Sequence, residues 1–308
     1  MRQWGMGGCF CARRSRRAFH RQEEPMISPD RLARVTAQAE TPEQVIRYVC
    51  SVSELKPRLL GACVGYEGEG QVVLVGYPLH DPKDTEAMTE AVDLALRLPG
   101  LCRITVIGPA RPHQAPKVAR MEEDQYFSLP VPAPQPGQKL RNLLRRASRD
   151  LTVEHGSSWG GDHEALVGRY LKDRPLAPGT RHIYTKISRY LAESSGSLLV
   201  SARLADGRLA AFSVGEYAGL RTAFYMFSFR DPGTAPPGAT DLLLAHLLEE
   251  GRARGHIRMN LGLGVNEGVG FFKRKWGAVP FLAYVQTAWD IASPGLLSRW
   301  TGLLGRRS

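Results

Sequence analysis

The stretch NLGLGVNEGVGFFKRKWGA occupies residues 260–278 and combines glycines with a cluster of aromatic and basic residues. Its apolar start predicts a strand, and the spacing after Gly264 predicts a helix. A dinucleotide fingerprint requires GxGxxG after the first strand of a βαβ unit, with an acidic residue about 20 positions further on. Here Gly262, Gly264 and Gly268 are spaced differently, and the strand lies late in the chain. The stretch therefore indicates a flexible, glycine-rich turn between a strand and a helix.

The sequence on both sides of this stretch predicts a definite order of elements. Upstream, SLLVSARLADGRLAAFSVGEY reads as a hairpin whose turn is Asp206-Gly207, a strong hairpin signal. The aromatic strand RTAFYMFSFR and the helix TDLLLAHLLEEGRARG follow, and PFLAYVQTAWD closes the series as a strand. Two helices, DHEALVGRYLKDR and RHIYTKISRYLAES, come first. The order is two helices, three antiparallel strands, helix, strand, helix, strand.

This order, with NLGLGVNEGVGFFKRKWGA after a helix closed by GRARGH, resembles the GNAT acyltransferase fold. The resemblance is closest to the tandem-GNAT, FemAB-like group, and the basic helix KLRNLLRRASRD strengthens it. It covers residues 139–290 well and 30–130 in outline. It implies an α/β fold with a mixed sheet, built as two tandem GNAT-like domains of which the first is reduced and the second complete.

Composition changes suggest where the domains divide. The first half reads as helix, strand-turn-strand around EGEG, helix and strand, which is a small α/β unit. PVPAPQPGQ is rich in proline and predicts a linker. We expect a flexible basic arm at 1–28, a GNAT-like domain at 29–130, a linker at 131–138, a catalytic GNAT-like domain at 139–290 and a basic amphipathic tail helix at 291–308.

The resemblance implies that the strand at Asn260–Gly264 splays from the strand at 221–230 and that the acyl arm of the donor lies in the gap. Leu261 and Gly262 would then contact the donor. The next helix is expected to bury Phe271, Phe272 and Trp276, for which core packing is the simpler role. Three cations, Lys273, Arg274 and Lys275, are expected to face solvent or phosphate.

Donor phosphate has a candidate site before the helix that starts near residue 239. Free amides at a helix N-terminus favour anions, which singles out Gly238, Ala239 and Thr240. The GNAT pattern [QR]xxGx[GA] fits Arg230–Ala235 by letters and includes Gly233. Pro236 and Pro237 then push the helix start past the motif, which departs from the family. A plainly capped helix is the alternative.

Acyl transfer to an amine needs a base, an oxyanion donor and an acid for the leaving group. Glu216 and Glu267 are the candidate bases, Tyr217 and Tyr225 the candidate acids, and Asn260 a candidate for orienting the substrate carbonyl. Simpler roles exist for each class: Glu267 as a helix-terminal carboxylate, Tyr225 as core and Asn260 as a strand-end partner. HExxH, GxSxG and GxxxxGK[ST] are all absent from the sequence, and no metal is expected.

Charge and cysteine use suggest partners and compartment. The formal net charge is +11, with basic clusters near the start, in residues 139–149 and at the end, which suit tRNA or an anionic membrane surface. Solvated faces that aid solubility are the alternative. The five cysteines form no zinc or disulfide pattern, and no secretory signal or 20-residue apolar span is seen. We expect a cytoplasmic protein. Its amphipathic tail would contact the inner face of the membrane, pack on the body of the protein or mediate a dimer contact.

Three functions follow from these observations. The first is an N-acyltransferase that uses acyl-CoA as co-substrate and an amine, amino-sugar or peptide acceptor. The second is an aminoacyl-tRNA-dependent transferase acting on a cell-wall precursor or a lipid. The third is a catalytically silent scaffold or membrane-surface protein that keeps the fold.

Overall fold

The computed structural model describes residues 27–156 and 158–291. The helices are α1 Pro29–Ala37, α2 Ile46–Ser53, α3 Thr85–Leu96, α4 Gln138–Asp150, α5 Gly161–Lys172, α6 Pro178–Thr185, α7 Ile187–Glu193, α8 Ala239–Ala253 and α9 Glu267–Lys275, with a 3₁₀ turn at Pro42–Gln44. The strands are β1 Lys56–Leu60, β2 Cys63–Gly68, β3 Gln71–Val75, β4 Arg103–Gly108, β5 Arg120–Pro130, β6 Thr152–Gly156, β7 Ser197–Arg203, β8 Leu209–Glu216, β9 Thr222–Arg230, β10 Arg258–Leu263 and β11 Val279–Asp290.

Contacts divide the described residues into two compact units. The larger unit contains residues 27–54 and 125–281, and the smaller contains 55–124 and 282–291. This grouping is not a linear split, so the predicted domain limits at 130 and 139 stay a prediction. Residues 1–26 of the predicted arm and 292–308 of the predicted tail helix lie outside the described residues.

The smaller unit has strands in the order β1-β2-β3-β4-β11. The predicted strand-turn-strand around EGEG is confirmed, because Glu69 and Gly70 both have positive φ between β2 and β3, as a two-residue hairpin turn requires. β3 and β4 are parallel and are joined through α3. The helix buries Ala91, Val92 and Ala95 against apolar residues of these strands. The result is a small mixed sheet with an amphipathic helix on it.

The larger unit has strands in the order β5-β10-β9-β8-β7-β6. The predicted hairpin is confirmed, with Gly207 at φ 83° in the turn between β7 and β8. β9 and β10 are parallel and are joined through α8. Strand β6 was not predicted from the sequence, and one predicted helix is divided into α6 and α7 at Lys186. Both units therefore confirm a mixed α/β fold.

The two faces of the larger unit's sheet carry different helices. On one face, called the α8 face, α4, α8 and α9 pack on Leu129, Met259 and Leu261. On the other, called the α2 face, the rings of Tyr48 in α2 and Tyr190 in α7 pack against Phe227 of β9. Because side chains alternate along a strand, the register assigns each candidate residue to one of these faces.

Candidate functional site

The parallel pair β9 and β10 comes apart part-way along its length. The two strands are paired only at Arg258 with Thr222, Met259 with Ala223 and Asn260 with Phe224, although β10 continues to Leu263 and β9 to Arg230. The register of β10 against β5 also shifts between Asn260 and Leu263. The predicted parting of the strands after position 260 is confirmed, and we call residues 260–264 the parted segment.

Side chains hold the parted segment in place. Gly262 has φ 78°, a conformation that favours glycine. Its N–H donates to Asn260 Oδ1 at 2.8 Å, and Asn260 Nδ2 donates to the carbonyl of Glu40 at 2.8 Å. Asn260 is fully buried. It therefore links the parted segment to the chain just before the 3₁₀ turn.

Lys273 satisfies the carbonyl groups that the parting turns away from β9. Its Nζ donates to Gly262 O at 2.7 Å and to Leu263 O at 2.6 Å. Lys273 is only 3% exposed, so the expectation that it faces solvent or phosphate was wrong. Phe271, expected to be buried, is 63% exposed, whereas Trp276 is 6% exposed as expected. The rotation of α9 puts a cation, rather than Phe271, against the strand.

The predicted site residues fall on both faces of the sheet. Glu216, Phe224, Asn260 and Ser128 are opposite one another across β8, β9, β10 and β5, so their side chains share the α2 face. Tyr217, Tyr225 and Leu261 lie on the α8 face, among its core residues. The two predicted acids therefore lie on the opposite face of the sheet from Glu216 and Asn260.

Glu216 is a fully buried carboxylate with four donors. Oε2 accepts hydrogen bonds from the hydroxyls of Tyr190 at 2.5 Å and Ser194 at 2.7 Å. Oε1 accepts from the N–H groups of Tyr217 at 3.0 Å and Ala218 at 2.9 Å. Both oxygens of this carboxyl group are therefore engaged. It anchors the end of β8, and its predicted role as base stays a prediction.

The two predicted acids are held in different ways. Tyr217 donates its hydroxyl hydrogen to Leu247 O at 2.8 Å, and burial raises the pKa of this phenol well above its usual range. Tyr225 stacks on Phe272 with ring centroids 6.3 Å apart, and its hydroxyl lies 3.4 Å from Ser213 Oγ. Burial raises the Tyr225 pKa as well. Both phenols are therefore neutral hydrogen-bond donors, and Tyr225 is the one that neighbours the parting.

Glu267 and the loop after β9 lie at helix N-termini. Glu267 is exposed in the first turn of α9, where the side chain of Asn266, rather than Glu267, caps the helix through Val269 N–H at 3.0 Å. Arg230 is exposed at the end of β9. The N–H of Gly233 donates to Asp231 Oδ1 at 2.9 Å.

The N-terminus of α8 has no side-chain cap. Its N-cap is Gly238 at φ 90°, and a Cβ there would lie 2.8 Å from Leu143 of α4. This glycine is therefore required for close packing of α4. In the first turn, Asp241 accepts from Trp276 Nε1 at 2.9 Å and pairs with Lys275 Nζ at 2.6 Å. The N–H of Ala239 donates to Pro236 O at 3.2 Å, Thr240 follows in the same turn, and phosphate binding there stays a prediction.

α4 presents a row of cations to solvent. Leu140 and Ala147 are its buried contacts with the unit. Its exposed basic residues, called the α4 basic face, are Lys139, Arg141, Arg145, Arg146 and Arg149. Within residues 27–156 and 158–291, no group of three or more potential metal ligands occurs, and no helix is long and apolar enough to cross a membrane.

Comparison with known families now identifies this part of the chain. Residues 138–274 match the family model described as an acetyltransferase (GNAT) domain. They form a GNAT domain. The matched segment includes α4, the parted segment and α8, so the GNAT domain holds every predicted site residue. The domain is that of a transferase. No curated protein sequence matches the chain significantly.

Solved structures are similar to the GNAT domain together with most of the remaining chain. L-PGS from Bacillus licheniformis is 14% identical, with a TM-score of 0.55, covering 92% of this chain and 98% of that chain. A conserved protein of unknown function from Bacteroides thetaiotaomicron is 12% identical, with a TM-score of 0.59 and coverages of 84% and 95%. The C-terminal domain (DUF2156) of a protein described as a lysylphosphatidylglycerol synthetase, from Agrobacterium fabrum, is 16% identical, with a TM-score of 0.54 and coverages of 89% and 96%. At these identities the similarity concerns the fold.

Sequence reasoning missed several residues that the GNAT domain and the segment before it bring to the site. Lys273 and Asp241 are buried and paired, and Glu43 with Tyr126 forms a buried pair on the α2 face. Lys273 was visible only as one of three consecutive cations. Glu43 carried no signal, because it is more than 200 residues from the parted segment.

Proposed function

We propose that the GNAT domain transfers an aminoacyl group from aminoacyl-tRNA to a hydroxyl or amino group of an acceptor. The main observation in support of acyl transfer is the separation of β9 and β10 after Asn260. Beyond Phe224, the edge of β9 is no longer paired with β10, and its backbone groups there can bind an extended acyl carrier. Hydrogen bonds with the side chains of Asn260 and Lys273 hold the parted segment in this conformation.

The α4 basic face supports tRNA as the carrier of the acyl group. Five exposed cations on one helix suit a chain of phosphates better than the single pyrophosphate of acyl-CoA. The N-terminus of α8, against which α4 packs through Leu143 and Gly238, has no side-chain cap, and its helix dipole favours one further phosphate. Phosphate groups along α4 and at α8 would place the ester near the parting.

The names of similar proteins suggest an acceptor to test first. One similar structure belongs to a protein described as a lysylphosphatidylglycerol synthetase, whose named product carries a lysyl group on a lipid. We therefore include phosphatidylglycerol as the first acceptor. The same proposal treats the smaller unit as part of a reduced GNAT-like copy that does not carry out catalysis.

Acyl-CoA is the second candidate donor, favoured by the acetyltransferase description of the matched family. A ligand present at a hundredfold excess over its Kd stabilises the folded protein by about 2.7 kcal/mol. Melting curves with acetyl-CoA and with longer acyl-CoA species, compared with charged tRNA, distinguish the two donors.

The decisive experiment measures binding of charged bulk tRNA as a function of salt. Each neutralised phosphate contributes about −0.7 to −0.9 to the slope of log Kobs against log salt. Replacing all five α4 cations by glutamine should flatten the slope by about 4 if each contacts a phosphate. The matched control removes five exposed cations elsewhere: Lys56, Lys83, Arg97, Lys117 and Lys172. Equal slopes for the two variants, or stabilisation by acyl-CoA alone, would contradict a tRNA donor.

A further inference from the structure

A buried carboxylic acid lies beside the parted segment on the α2 face. Glu43, in the 3₁₀ turn, is 7% exposed, and the hydroxyl of Tyr126 donates to its Oε2 at 2.8 Å. Tyr126 of β5 is opposite Leu263 of β10, which lies beyond the last residue paired with β9. The carboxyl group of Glu43 is therefore placed on the β5 side of the opened stretch.

The same carboxyl group is close to a ring that contacts β9. Tyr48 of α2 lies edge-on to Phe227 of β9, with ring centroids 6.0 Å apart. Burial, and after it the charge of Glu43, raises the pKa of Tyr48, which requires the two side chains to be near each other. Glu43 thus lies between Tyr126, which is paired with β10, and Tyr48, which packs on β9.

The position of the turn is fixed by the paired part of the site. Asn260 Nδ2 donates to the Glu40 carbonyl at 2.8 Å, and Thr222 Oγ1 donates to Glu40 Oε2 at 2.6 Å. Gln44 Oε1 accepts from the N–H groups of Glu40 and Thr41 at 2.8 and 3.0 Å. Residues 40–44 are therefore attached to β9 and β10 at the place where the two strands separate.

Burial raises the pKa of Glu43 above its usual value of 4.5, and the hydrogen bond from Tyr126 opposes part of this rise. A carboxyl group with a raised pKa is a stronger base than an exposed one when it is ionised. Glu216, the other buried acid on this face, lies at the end of β8 and has both carboxyl oxygens engaged by four hydrogen-bond donors. Of the two, Glu43 is the one whose hydrogen-bond partner, Tyr126, lies opposite the parted segment.

We propose that Glu43 accepts the proton of the attacking acceptor group and that Tyr126 supplies a proton to the leaving group. This inference rests on the proposed function. The acceptor oxygen or nitrogen forms a bond to the acyl carbon, and the bond between that carbon and the ribose oxygen of tRNA breaks. The acceptor's proton passes to the Glu43 carboxylate, the Tyr126 hydroxyl protonates the ribose oxygen, and Glu43 returns a proton to Tyr126. No oxidant, reductant or metal is needed for this balance.

The test compares Glu43→Gln and Tyr126→Phe with Glu193→Gln. Glu193 is a carboxylate of the same unit that accepts from Ser51 and Arg189 and is not part of the site. The assay uses bulk tRNA charged with radiolabelled amino acids and phosphatidylglycerol vesicles, together with separate measurements of tRNA binding and thermal stability. We expect E43Q to lower kcat by about 100-fold or more with charged-tRNA affinity retained, and E193Q to match the wild type.

The E43Q and Y126F variants should differ in the pH dependence of kcat/KM. Among the described residues, Tyr126 and Tyr48 are titratable groups that neighbour Glu43. Removing the Tyr126 hydroxyl removes a bond that favours the carboxylate, so Y126F should shift the acidic limb of kcat/KM to higher pH. E43Q should abolish that limb.

The stability of the E43Q variant distinguishes a catalytic role of Glu43 from a structural one. Because the pKa of Glu43 is raised, its charge opposes folding as the pH rises above 4.5. E43Q should therefore be at least as stable as the wild type at pH 7. A kcat unchanged by E43Q, or a fall in activity that follows a fall in melting temperature, would overturn the role of Glu43 while the proposed function stands. A wild-type chain that neither binds charged tRNA nor transfers label would overturn both.

Discussion

Each unit of this chain contains a parallel strand pair joined by one helix, and the two pairs differ in one respect. In the smaller unit, β3 and β4 are paired along all of β3, from Gln71 with Arg103 to Val75 with Ile107, and Gly76 N–H extends the ladder to Ile107 O. In the GNAT domain, β9 and β10 separate after Asn260. The same local topology thus gives a closed ladder in one unit and an opening in the other.

The helices that join the two strand pairs, α3 and α8, differ in how their N-termini are capped. Asp84 caps α3 through the N–H groups of Glu86 and Ala87, at 3.0 and 2.9 Å. Gly238 gives α8 no side-chain cap. A helix whose amides are satisfied by its own carboxylate has little affinity for an external anion. A βαβ unit is therefore a candidate site when its parallel strands are only partly paired and the helix that joins them has no side-chain cap.

The largest effect is expected from Lys273→Met. Two buried carbonyl oxygens of the parted segment would lose a charged donor, which should reduce the free energy of unfolding by about 3 kcal/mol. Urea titration measures this loss, and the transfer rate should fall with it. Arg274→Met, an exposed neighbour in the same helix, is the control and should change stability by no more than about 0.5 kcal/mol.

Asn260→Ala should come next. The substitution removes the acceptor for Gly262 N–H and the donor to the Glu40 carbonyl, which we expect to cost about 2 kcal/mol. Asn260→Asp keeps an acceptor for Gly262 but loses the donor to Glu40. If hydrogen exchange of residues 40–44 is unchanged in both variants, Asn260 does not fix the turn to the parted segment.

Gly262→Ala tests whether the left-handed backbone is what opens the ladder. An alanine at φ 78° should cost about 1 kcal/mol. Gly255→Ala is a matched control, because Gly255 has φ 80° and nothing within 4 Å of an added Cβ. Both variants should lose similar stability by thermal melting, and only G262A should lose donor affinity. Equal donor affinity in the two variants would contradict the proposed path of the acyl arm.

Asp84→Ala removes the cap of α3, the helix that joins the fully paired strands β3 and β4. It should have the smallest effect on stability. Hydrogen bonds from Ala87 and His80 hold the Asp84 pKa below 3.8. A lowered pKa means that the cap stabilises the fold above pH 3.8, and that this contribution is lost as the pH falls through the lower pKa of the folded state. The melting-temperature difference between wild type and D84A should therefore narrow below pH 3.8. Donor binding should not change.

Much of the fold was predictable because its signals are local. Asp206-Gly207, the EGEG turn and the periodicity of α8 each depend on neighbouring residues. The missed strand β6 is short and mostly exposed, so it lacks an apolar pattern. Lys186 divides one predicted helix into two without a proline or glycine to mark the break. Such features depend on packing partners that a local pattern does not contain.

The sequence by itself determined most of the order of elements, and through that order and the glycine-rich motif at 260–278 it resembled the GNAT fold, which implied the place of the opening. Only the tertiary structure decided which charges are buried. Lys273 among three cations, and Glu43 beside Tyr126, are placed by contacts between residues far apart in the chain. A charged side chain is buried when distant groups supply its hydrogen bonds, and a linear pattern does not encode that supply.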